Sequence, residues 1–322
     1  MFSIALLCVL PISIFGYQLV DDYQPHDLLD RFDFFTADDP THGFVNYIDR
    51  GQAQSSGLIK NENNKLYMGV DVNNGVPNGA RGRNSVRITS KKDYTHGLFI
   101  LDLDHMPTGC GTWPAYWLVF LFITSEIILF QVGRDWPHNG ELDIVEGVHT
   151  DDVNGVAMHT DPGCSMNPSP AFSGQLLYPN CDVHAPNQPA NAGCAIKGGA
   201  FGANFNNQNG GVYAAEWTSN FIRVWFFPRS QIPSDIHNSS PEPGKWGKPV
   251  AEFSNQNCNL DNHIHNQQIV FDITFCGDWA GNVWNQYPQC QAAAPSCVDH
   301  VRNNPGAFKD AYWLINSLKV YQ

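Results

Sequence analysis

Three acidic side chains lie close together in one short segment, Gly140-Glu141-Leu142-Asp143-Ile144-Val145-Glu146-Gly147. Polar and apolar residues alternate at its start, which predicts a β-strand on which Glu141 and Asp143 point to the same face. Glu146 follows Glu141 by five residues, an odd number, so a regular strand would turn it to the opposite face. One extra residue, a β-bulge near Ile144-Val145, would return it to the shared face. The spacing therefore predicts three carboxyl groups on one side of a bulged strand.

Carboxyl groups held this close favour different protonation states, because the charge on one raises the pKa of its neighbour. One ionised and one protonated carboxyl, about 5–5.5 Å apart, can cleave a glycosidic bond with retention of configuration. We assign Glu141 as the nucleophile and Glu146 as the acid/base. Asp143 lies between them and is expected to hydrogen-bond the nucleophile and help to set its protonation. The alternative interpretation is a solvated acidic strand face or a cation site.

Aromatic residues flank the acidic segment. Trp113 and Trp117 are four residues apart and share a face of an extended strand, and Trp136 lies five residues before Glu141. Aromatic rings beside a carboxylate pair are typical of a sugar-binding cleft, although core packing explains each tryptophan alone equally well. His159 is expected to orient an acid or bind a sugar hydroxyl, with a structural role as the alternative.

The elements that position these residues are predicted to be strands. Period-two patterns indicate strands at residues 99–104, 222–227, 270–275 and 312–320. Between strands lie loops rich in Gly, Asn and Pro, such as residues 187–211, anchored by Cys181 and Cys194, and residues 234–247. The sequence shows no long helical period and no internal repeat. The pattern predicts an all-β fold, an antiparallel β-sandwich of two sheets without a second domain.

The start of the chain and its cysteines indicate secretion. An apolar run from Phe2 to Phe15 ends at Gly16, which predicts a signal peptide over residues 1–16 and a mature extracellular chain over residues 17–322. A buried N-terminal element is the alternative. Eight of the nine cysteines follow this segment, and an even number in a secreted chain predicts disulfides whose pairing the sequence leaves open. Asn238 begins the sequon Asn-Ser-Ser.

The charge of the chain restricts its partners. The formal net charge is −13, which disfavours binding to nucleic acid or to anionic membranes and makes a neutral polymer a better substrate than a sulfated or uronic one. We expect a polysaccharide partner, a monomeric protein, and neither a cofactor nor a metal.

Several segments together resemble a known family. They include Gly82-Arg83-Asn84-Ser85-Val86-Arg87-Ile88, His105-Met106-Pro107-Thr108-Gly109-Cys110-Gly111-Thr112-Trp113-Pro114, the acidic strand, residues 159–164, 216–217 and 225–230, and Phe275-Cys276-Gly277-Asp278-Trp279-Ala280-Gly281. From about residue 39 to the C-terminus the chain resembles glycoside hydrolase family 16, and within it the fungal-type endo-1,3(4)-β-glucanases, or laminarinases. The five-residue spacing of the glutamates resembles the bulged subgroup of this family.

The resemblance implies a concanavalin-like jelly roll with an open concave cleft and cleavage with retention. It supports the roles given above to Glu141, Asp143 and Glu146. Seven further positions match cleft residues: Trp113, Trp117, Trp136 and His159 near the scissile bond, and Asn46, Tyr47 and Arg83 in contact with sugar on its non-reducing side. For Arg83 a structural cation is the alternative.

The chain departs from the family pattern between Leu118 and Asp135. Residues 119–131 are 13 additional residues, nearly all apolar, located where the cleft is expected. Two interpretations are open: an intron retained in the gene model, or a true insertion that reshapes or blocks the site. A message that contains these codons would exclude the first.

The sequence thus predicts a secreted endo-acting retaining β-glucanase that hydrolyses β-1,3-glucan, with mixed β-1,3/1,4-glucan as a further substrate. The alternatives are a non-catalytic, lectin-like glucan-binding module and a transglycosylase on the same scaffold. A reducing-sugar assay separates the first alternative from a hydrolase, and product sizing reveals the second.

Overall fold

The computed structural model of the protein describes residues 16–120 and 136–322. The predicted signal peptide up to residue 15 and the apolar insertion beyond Phe120 lie outside the described residues. Val119, at the start of the insertion, is the last residue of a strand.

The described residues form 18 strands and six short α-helices. The strands are β1 (Leu19–Tyr23), β2 (Phe32–Phe34), β3 (Val45–Tyr47), β4 (Ile59–Glu62), β5 (Lys65–Gly69), β6 (Arg83–Ser85), β7 (Arg87–Tyr94), β8 (Gly97–His105), β9 (Thr112–Val119), β10 (Glu141–Glu146), β11 (Val153–His159), β12 (Gln175–Tyr178), β13 (Cys194–Ala200), β14 (Gly211–Trp217), β15 (Phe221–Pro228), β16 (Ala251–Ser254), β17 (Gln267–Phe275) and β18 (Tyr312–Tyr321). The helices are α1 (Arg50–Ser55), α2 (Gly202–Asn206), α3 (Ser234–His237), α4 (Leu260–His263), α5 (Pro288–Ala293) and α6 (Cys297–Asn303). The predicted strands are confirmed as β8, β15, β17 and β18, and the acidic segment as β10.

Two eight-stranded sheets make up the sandwich. The site sheet has the order β12-β13-β11-β10-β9-β17-β7-β2. The back sheet has the order β16-β15-β14-β8-β18-β5-β4, with β1 beside β18. All strand pairs in these two sheets are antiparallel, and β3 and β6 form a separate parallel pair. The predicted antiparallel β-sandwich is confirmed.

Strand β17 shows how the site sheet separates core from site. Phe271, like its alternate neighbours along β17, faces the back sheet. Its ring packs on Tyr116 of the adjacent strand β9 at 4.7 Å and on Trp313 of the back sheet at 5.8 Å between centroids. Burying a side chain of this size stabilises the fold by about 1.5–3 kcal/mol. Asp272 and Thr274 alternate with these residues and lie on the other face. That outer face is therefore available to polar groups that do chemistry.

Part of the loop prediction was wrong. Residues 187–211 were expected to be irregular, but they contain strand β13 and helix α2. The strand was hidden by Gly198 and Gly199, which favour loops in sequence-based prediction. Close packing requires them: a Cβ on Gly199 would lie 2.6 Å from the Tyr213 hydroxyl, and Gly199 has a φ of +84°. Residues 234–247 contain the single-turn helix α3.

Eight cysteines form four disulfides: Cys110–Cys290, Cys164–Cys258, Cys181–Cys194 and Cys276–Cys297. The first and last hold the loops at the start of β9 and the end of β17. The other two hold the loops that follow β11. Cross-links restrict the unfolded chain and so stabilise these long connections at both ends of the central strands. Among the described residues, no helix is long and apolar enough to cross a membrane.

Candidate active site

The site is built on the bulge in β10. Toward β9, Asp143 pairs with Trp117 and Val145 with Tyr116, so one residue of β10 is extra. Toward β11, the register shifts between Asp143 and Glu146. Ile144 and Val145 are consecutive, yet both are completely buried in the core. The predicted bulge is confirmed, and it returns Glu146 to the face that carries the other two acids.

Each carboxyl group has its own hydrogen-bond donor. Trp136 Nε1 donates to Glu141 Oε2 at 2.9 Å, and Trp113 Nε1 donates to Glu146 Oε1 at 2.7 Å. His159 Nε2 lies 2.9 Å from Asp143 Oδ2. The carboxyl groups are therefore held apart by separate partners.

His159 reaches two acids at once. Its Nε2 is 3.9 Å from Glu141 Oε1 as well as hydrogen-bonded to Asp143. Its Nδ1 is buried and has no hydrogen-bond partner. An Nε2–H tautomer fits this arrangement, because it donates to the carboxyl group and leaves the unpaired Nδ1 without a proton.

Burial dominates the electrostatics of the acidic face. It raises the pKa of Glu141 and of Glu146 to about 8 each, and the charge of Asp143 adds to both shifts. Burial also raises the pKa of Asp143 to about 8, with a contribution from Asp272. Because the groups interact, they titrate as a cluster. The cluster can supply a protonated acid near neutral pH, as general acid catalysis requires.

We expect Asp143→Asn to shift the alkaline limb of the pH–activity profile to lower pH. The substitution removes a like charge, so the pKa of Glu146 falls and the acid loses its proton at lower pH. The rate of glucan cleavage measured across pH 4–9 checks this, with the folding of the variant followed by circular dichroism. An unchanged or upward-shifted alkaline limb would contradict the assignment of Glu146 as the acid.

The raised pKa values also predict the pH dependence of stability. The pKa of Glu141 is 4.5 in the unfolded chain and about 8 in the folded protein. Because the folded state holds this proton more tightly, ionisation of the carboxyl increasingly destabilises the fold as the pH rises from 4.5 toward 8. Glu141→Gln is therefore expected to increase the free energy of unfolding at pH 7.5 by about 1–3 kcal/mol and to have little effect at pH 4. Urea unfolding at the two pH values measures this, and equal effects at both would contradict it.

A second layer supports the aromatic floor of the site. Trp117 Nε1 donates to Asp272 Oδ2 at 2.9 Å, and Trp117 packs with Val119, Val270 and Trp136 on the outer face. Burial raises the pKa of Asp272 to about 7 against the opposing charge of Arg87. Trp117 is thus a largely buried floor rather than an exposed wall.

Two predicted sugar contacts are wrong. Arg83 is completely buried, and its guanidinium donates to the backbone carbonyls of Val301, Asp71 and Asn74. Tyr47 is also buried and belongs to the core. Neither side chain is available to substrate. Asn46 is partly exposed and donates to Asn84 Oδ1 at 2.7 Å, so its contact with sugar stays a prediction.

The arginine on the outer face of the site sheet is Arg87. Its Cζ lies 5.0 Å from the ring centre of Trp117 and 4.5 Å from that of Phe35. Arg87 is nevertheless buried, with 2% of its surface exposed, and its Nε and one Nη are buried atoms without a hydrogen-bond partner. In the sequence, Arg87 stands in the segment Gly82 to Ile88 that resembles the family, and it begins strand β7.

Trp279 is a further aromatic residue of the site that the site prediction omitted. Its ring packs edge-on against Trp113 at 5.6 Å, and Lys197 Nζ lies 5.9 Å from its centre. The Trp113 side of the cleft thus has an aromatic pair beside Glu146.

One group of atoms has the spacing of a cation site. Oxygen atoms of Glu141 and Asp143 and a nitrogen of His159 lie within 4.8 Å of one another. The hydrogen bond between His159 and Asp143 uses two of the atoms that an ion would need.

Comparison with known proteins identifies the family. Residues 32–321 match the model of the XgeA-like catalytic domain of glycoside hydrolase family 16. The chain belongs to glycoside hydrolase family 16. The resemblance stated from the sequence is thereby confirmed, together with the assignment to the glycoside hydrolases.

Curated relatives of this family 16 chain include fungal enzymes. An endo-1,3(4)-beta-glucanase of Arthroderma benhamiae is 49% identical over 311 residues, which cover 95% of this chain and 65% of that protein. A probable glycosidase of Schizosaccharomyces pombe is 45% identical over 310 residues, covering 95% of this chain and 69% of that protein. The chain thus spans about two thirds of the length of these relatives.

Solved structures share the fold. Laminarinase 16A from Phanerochaete chrysosporium, with 6-O-glucosyl-laminaritriose in donor and acceptor sites, is 40% identical with a TM-score of 0.85, covering 95% of this chain and all of that one. An elongating family 16 beta-1,3-glucosyltransferase gives the same identity, score and coverage. The predicted jelly roll is confirmed by these likenesses.

Proposed function

We propose that this chain is a secreted, retaining endo-β-1,3-glucanase. The observation that carries the proposal is the bulged strand β10, which places Glu141 and Glu146 on one face with separate tryptophan donors. A pure binding site would gain nothing from a cluster of acids whose mutual repulsion and burial are costly.

The geometry supports a two-step reaction. Glu141 attacks the anomeric carbon, the bond from that carbon to the leaving oxygen breaks, and the proton of Glu146 passes to that oxygen. Glu146 then removes a proton from water, and the resulting hydroxide attacks the anomeric carbon and releases Glu141 as a carboxylate. Two inversions at one carbon give retention.

Charge and relatives support the substrate class. The negative chain suits a neutral glucan. Family 16 relatives include a laminarinase with β-glucan oligosaccharides in donor and acceptor sites. The four disulfides are typical of an extracellular protein.

The test is a substrate panel with stereochemistry. Purified protein is incubated with laminarin and with barley β-glucan, reducing ends are counted, and proton NMR follows the first anomer released. We expect cleavage of laminarin and early appearance of the β-anomer. Binding without new reducing ends would favour the lectin-like alternative, and early α-anomer would exclude retention.

Glucosyl transfer is the second candidate, because the similar elongating beta-1,3-glucosyltransferase shows that this family fold also carries transfer. A sugar hydroxyl would replace water in the second step. Mass spectrometry of products from short laminari-oligosaccharides distinguishes the two, since only transfer yields products longer than the substrate.

A further inference from the structure

The bulge in β10 is secured by one side chain of the neighbouring strand. Asn154, on β11, accepts a hydrogen bond at Oδ1 from the backbone N–H of Glu146 at 3.0 Å. Its Nδ2 donates to the backbone carbonyl of Ile144 at 2.8 Å. The carboxamide therefore hydrogen-bonds the backbone of the bulge on both sides of Val145; we call this pair of bonds the grip of Asn154.

The side chain of Asn154 is completely buried in this position. It is fully inaccessible to solvent and alternates along β11 with Gly155, so it lies on the core side together with Val156 and Met158. A buried carboxamide among apolar side chains is unfavourable unless it is hydrogen-bonded. Both of its polar atoms are used on the bulge, which indicates that the bulge is the reason for its presence.

The two bonds bear directly on Glu146. Asn154 holds the backbone N–H of Glu146 from the core side, and Trp113 holds its carboxyl group from the cleft side. A Cβ on Gly155 would lie 3.1 Å from the Glu146 carbonyl oxygen, so the strand opposite the bulge is closely fitted to it. Without the grip of Asn154, the extra residue could relax toward regular pairing, which would turn the side chain of Glu146 away.

We infer that Asn154 is the positioning residue for the acid/base Glu146. The inference rests on the proposed function and deepens it, because it concerns one carboxyl of the pair and not the other. Glu141 pairs with His159 before the register shift and is held by Trp136, so its position does not depend on the grip.

The test exploits the leaving group. Cleavage of laminarin needs protonation of the departing sugar, whereas 2,4-dinitrophenyl β-laminaribioside releases a phenolate that needs no proton. In Asn154→Ala, kcat/KM for laminarin is expected to fall by about 100-fold. For the dinitrophenyl substrate, kcat/KM, which reports only attack by Glu141, is expected to stay near the wild-type value.

A second variant covers the case in which Asn154→Ala does not fold. Asn154→Asp has nearly the same shape and keeps the acceptor for the Glu146 N–H. When protonated it also donates to Ile144, and when ionised it places a charge against that carbonyl. Its loss on laminarin is therefore expected to be smaller than that of the alanine variant and to grow as pH rises.

Asn206→Ala is the matched control. Outside the site sheet, Asn206 also bonds to backbone through both ends of its carboxamide, accepting from the N–H of Met106 at 2.9 Å and donating to its carbonyl at 3.0 Å, and its Nδ2 lies 3.0 Å from His105 Nε2. It is expected to lower the melting temperature without any difference between the two substrates.

The two substrates distinguish failure of the inference from failure of the proposed function. Equal losses on both substrates in Asn154→Ala, or an Asn154→Asp variant whose loss is the same on both substrates, would overturn the inference and leave a structural role. A wild-type protein inactive on both substrates would instead contradict the proposed function.

Discussion

Glu141→Gln is expected to lower laminarin cleavage on the order of 10⁴-fold or more, while the protein stays folded. Glutamine keeps the shape of the side chain and can still contact Trp136, but its amide cannot form the glycosyl–enzyme bond. No neighbouring group is expected to replace it, because Asp143 is hydrogen-bonded to His159 and the proposed mechanism uses Glu146 for proton transfer. The loss should therefore appear in kcat for every substrate, including one with an activated leaving group.

Glu216→Gln is the control for that experiment. Glu216 lies on strand β14 of the back sheet, accepts from Tyr17 at 2.8 Å, and has a pKa raised by burial. Its replacement tests whether loss of a partly buried glutamate is by itself harmful. Activity near wild type in Glu141→Gln, or an equal loss in Glu216→Gln, would contradict the role of Glu141 as nucleophile.

Glu146→Ala is expected to lose about 10³-fold in laminarin cleavage, and azide is expected to accelerate its turnover of the dinitrophenyl substrate. Removing the acid/base leaves the leaving oxygen without a proton and the attacking water without a base. It also opens a space beside the anomeric carbon. Azide needs no base, so it attacks the glycosyl–enzyme there and releases Glu141, giving a glycosyl azide of retained β-configuration.

The measurement is the rate with and without azide on the dinitrophenyl substrate, where the second step limits the variant, with the product identified by NMR. Asn206→Ala serves again as a folded variant that azide should not affect. Rescue of Glu141→Gln instead of Glu146→Ala, or a rescued product of α-configuration, would reverse the two roles.

The sequence pattern of β10 was sufficient to predict the acidic residues of the proposed mechanism and the bulge that places them on one face. An odd separation between two acids on an alternating segment forces either opposite faces or a bulge, so Glu141, Asp143 and Glu146 led directly to the bulge that the structure contains. Alternation likewise identified β8, β15, β17 and β18, because the period of side-chain direction in a strand is a local property.

The hydrogen-bond partners of those acids were harder to predict from the sequence. Trp113, Trp136 and His159 were recognised as residue types near the acids, but their individual bonds depend on how β9, β10 and β11 align. Arg83 and Arg87 illustrate the limit. Both lie in one short segment, and only packing decides that Arg83 binds backbone carbonyls in the interior while Arg87 lies on Trp117.

The dipeptide Asn154-Gly155 also shows that a local pattern alone does not determine the structure. Asn-Gly between apolar residues is typical of a tight hairpin turn. Here it lies inside β11, because the bulge across the ladder needs a buried carboxamide on one residue and the absence of a side chain on the next.

By itself, the amino-acid order determined the sandwich class, the family and the strand that carries the acids. Side-chain alternation and residue type are properties of consecutive residues, so they can be read from one segment of the sequence. The tertiary structure alone decided which donor each acid receives, how the eight cysteines pair, and which arginine reaches the outer face. These depend on strand register and on contacts between different elements, such as that of Trp117 with Asp272, which lies 155 positions away. Packing of the whole chain sets such contacts, and no single segment determines them.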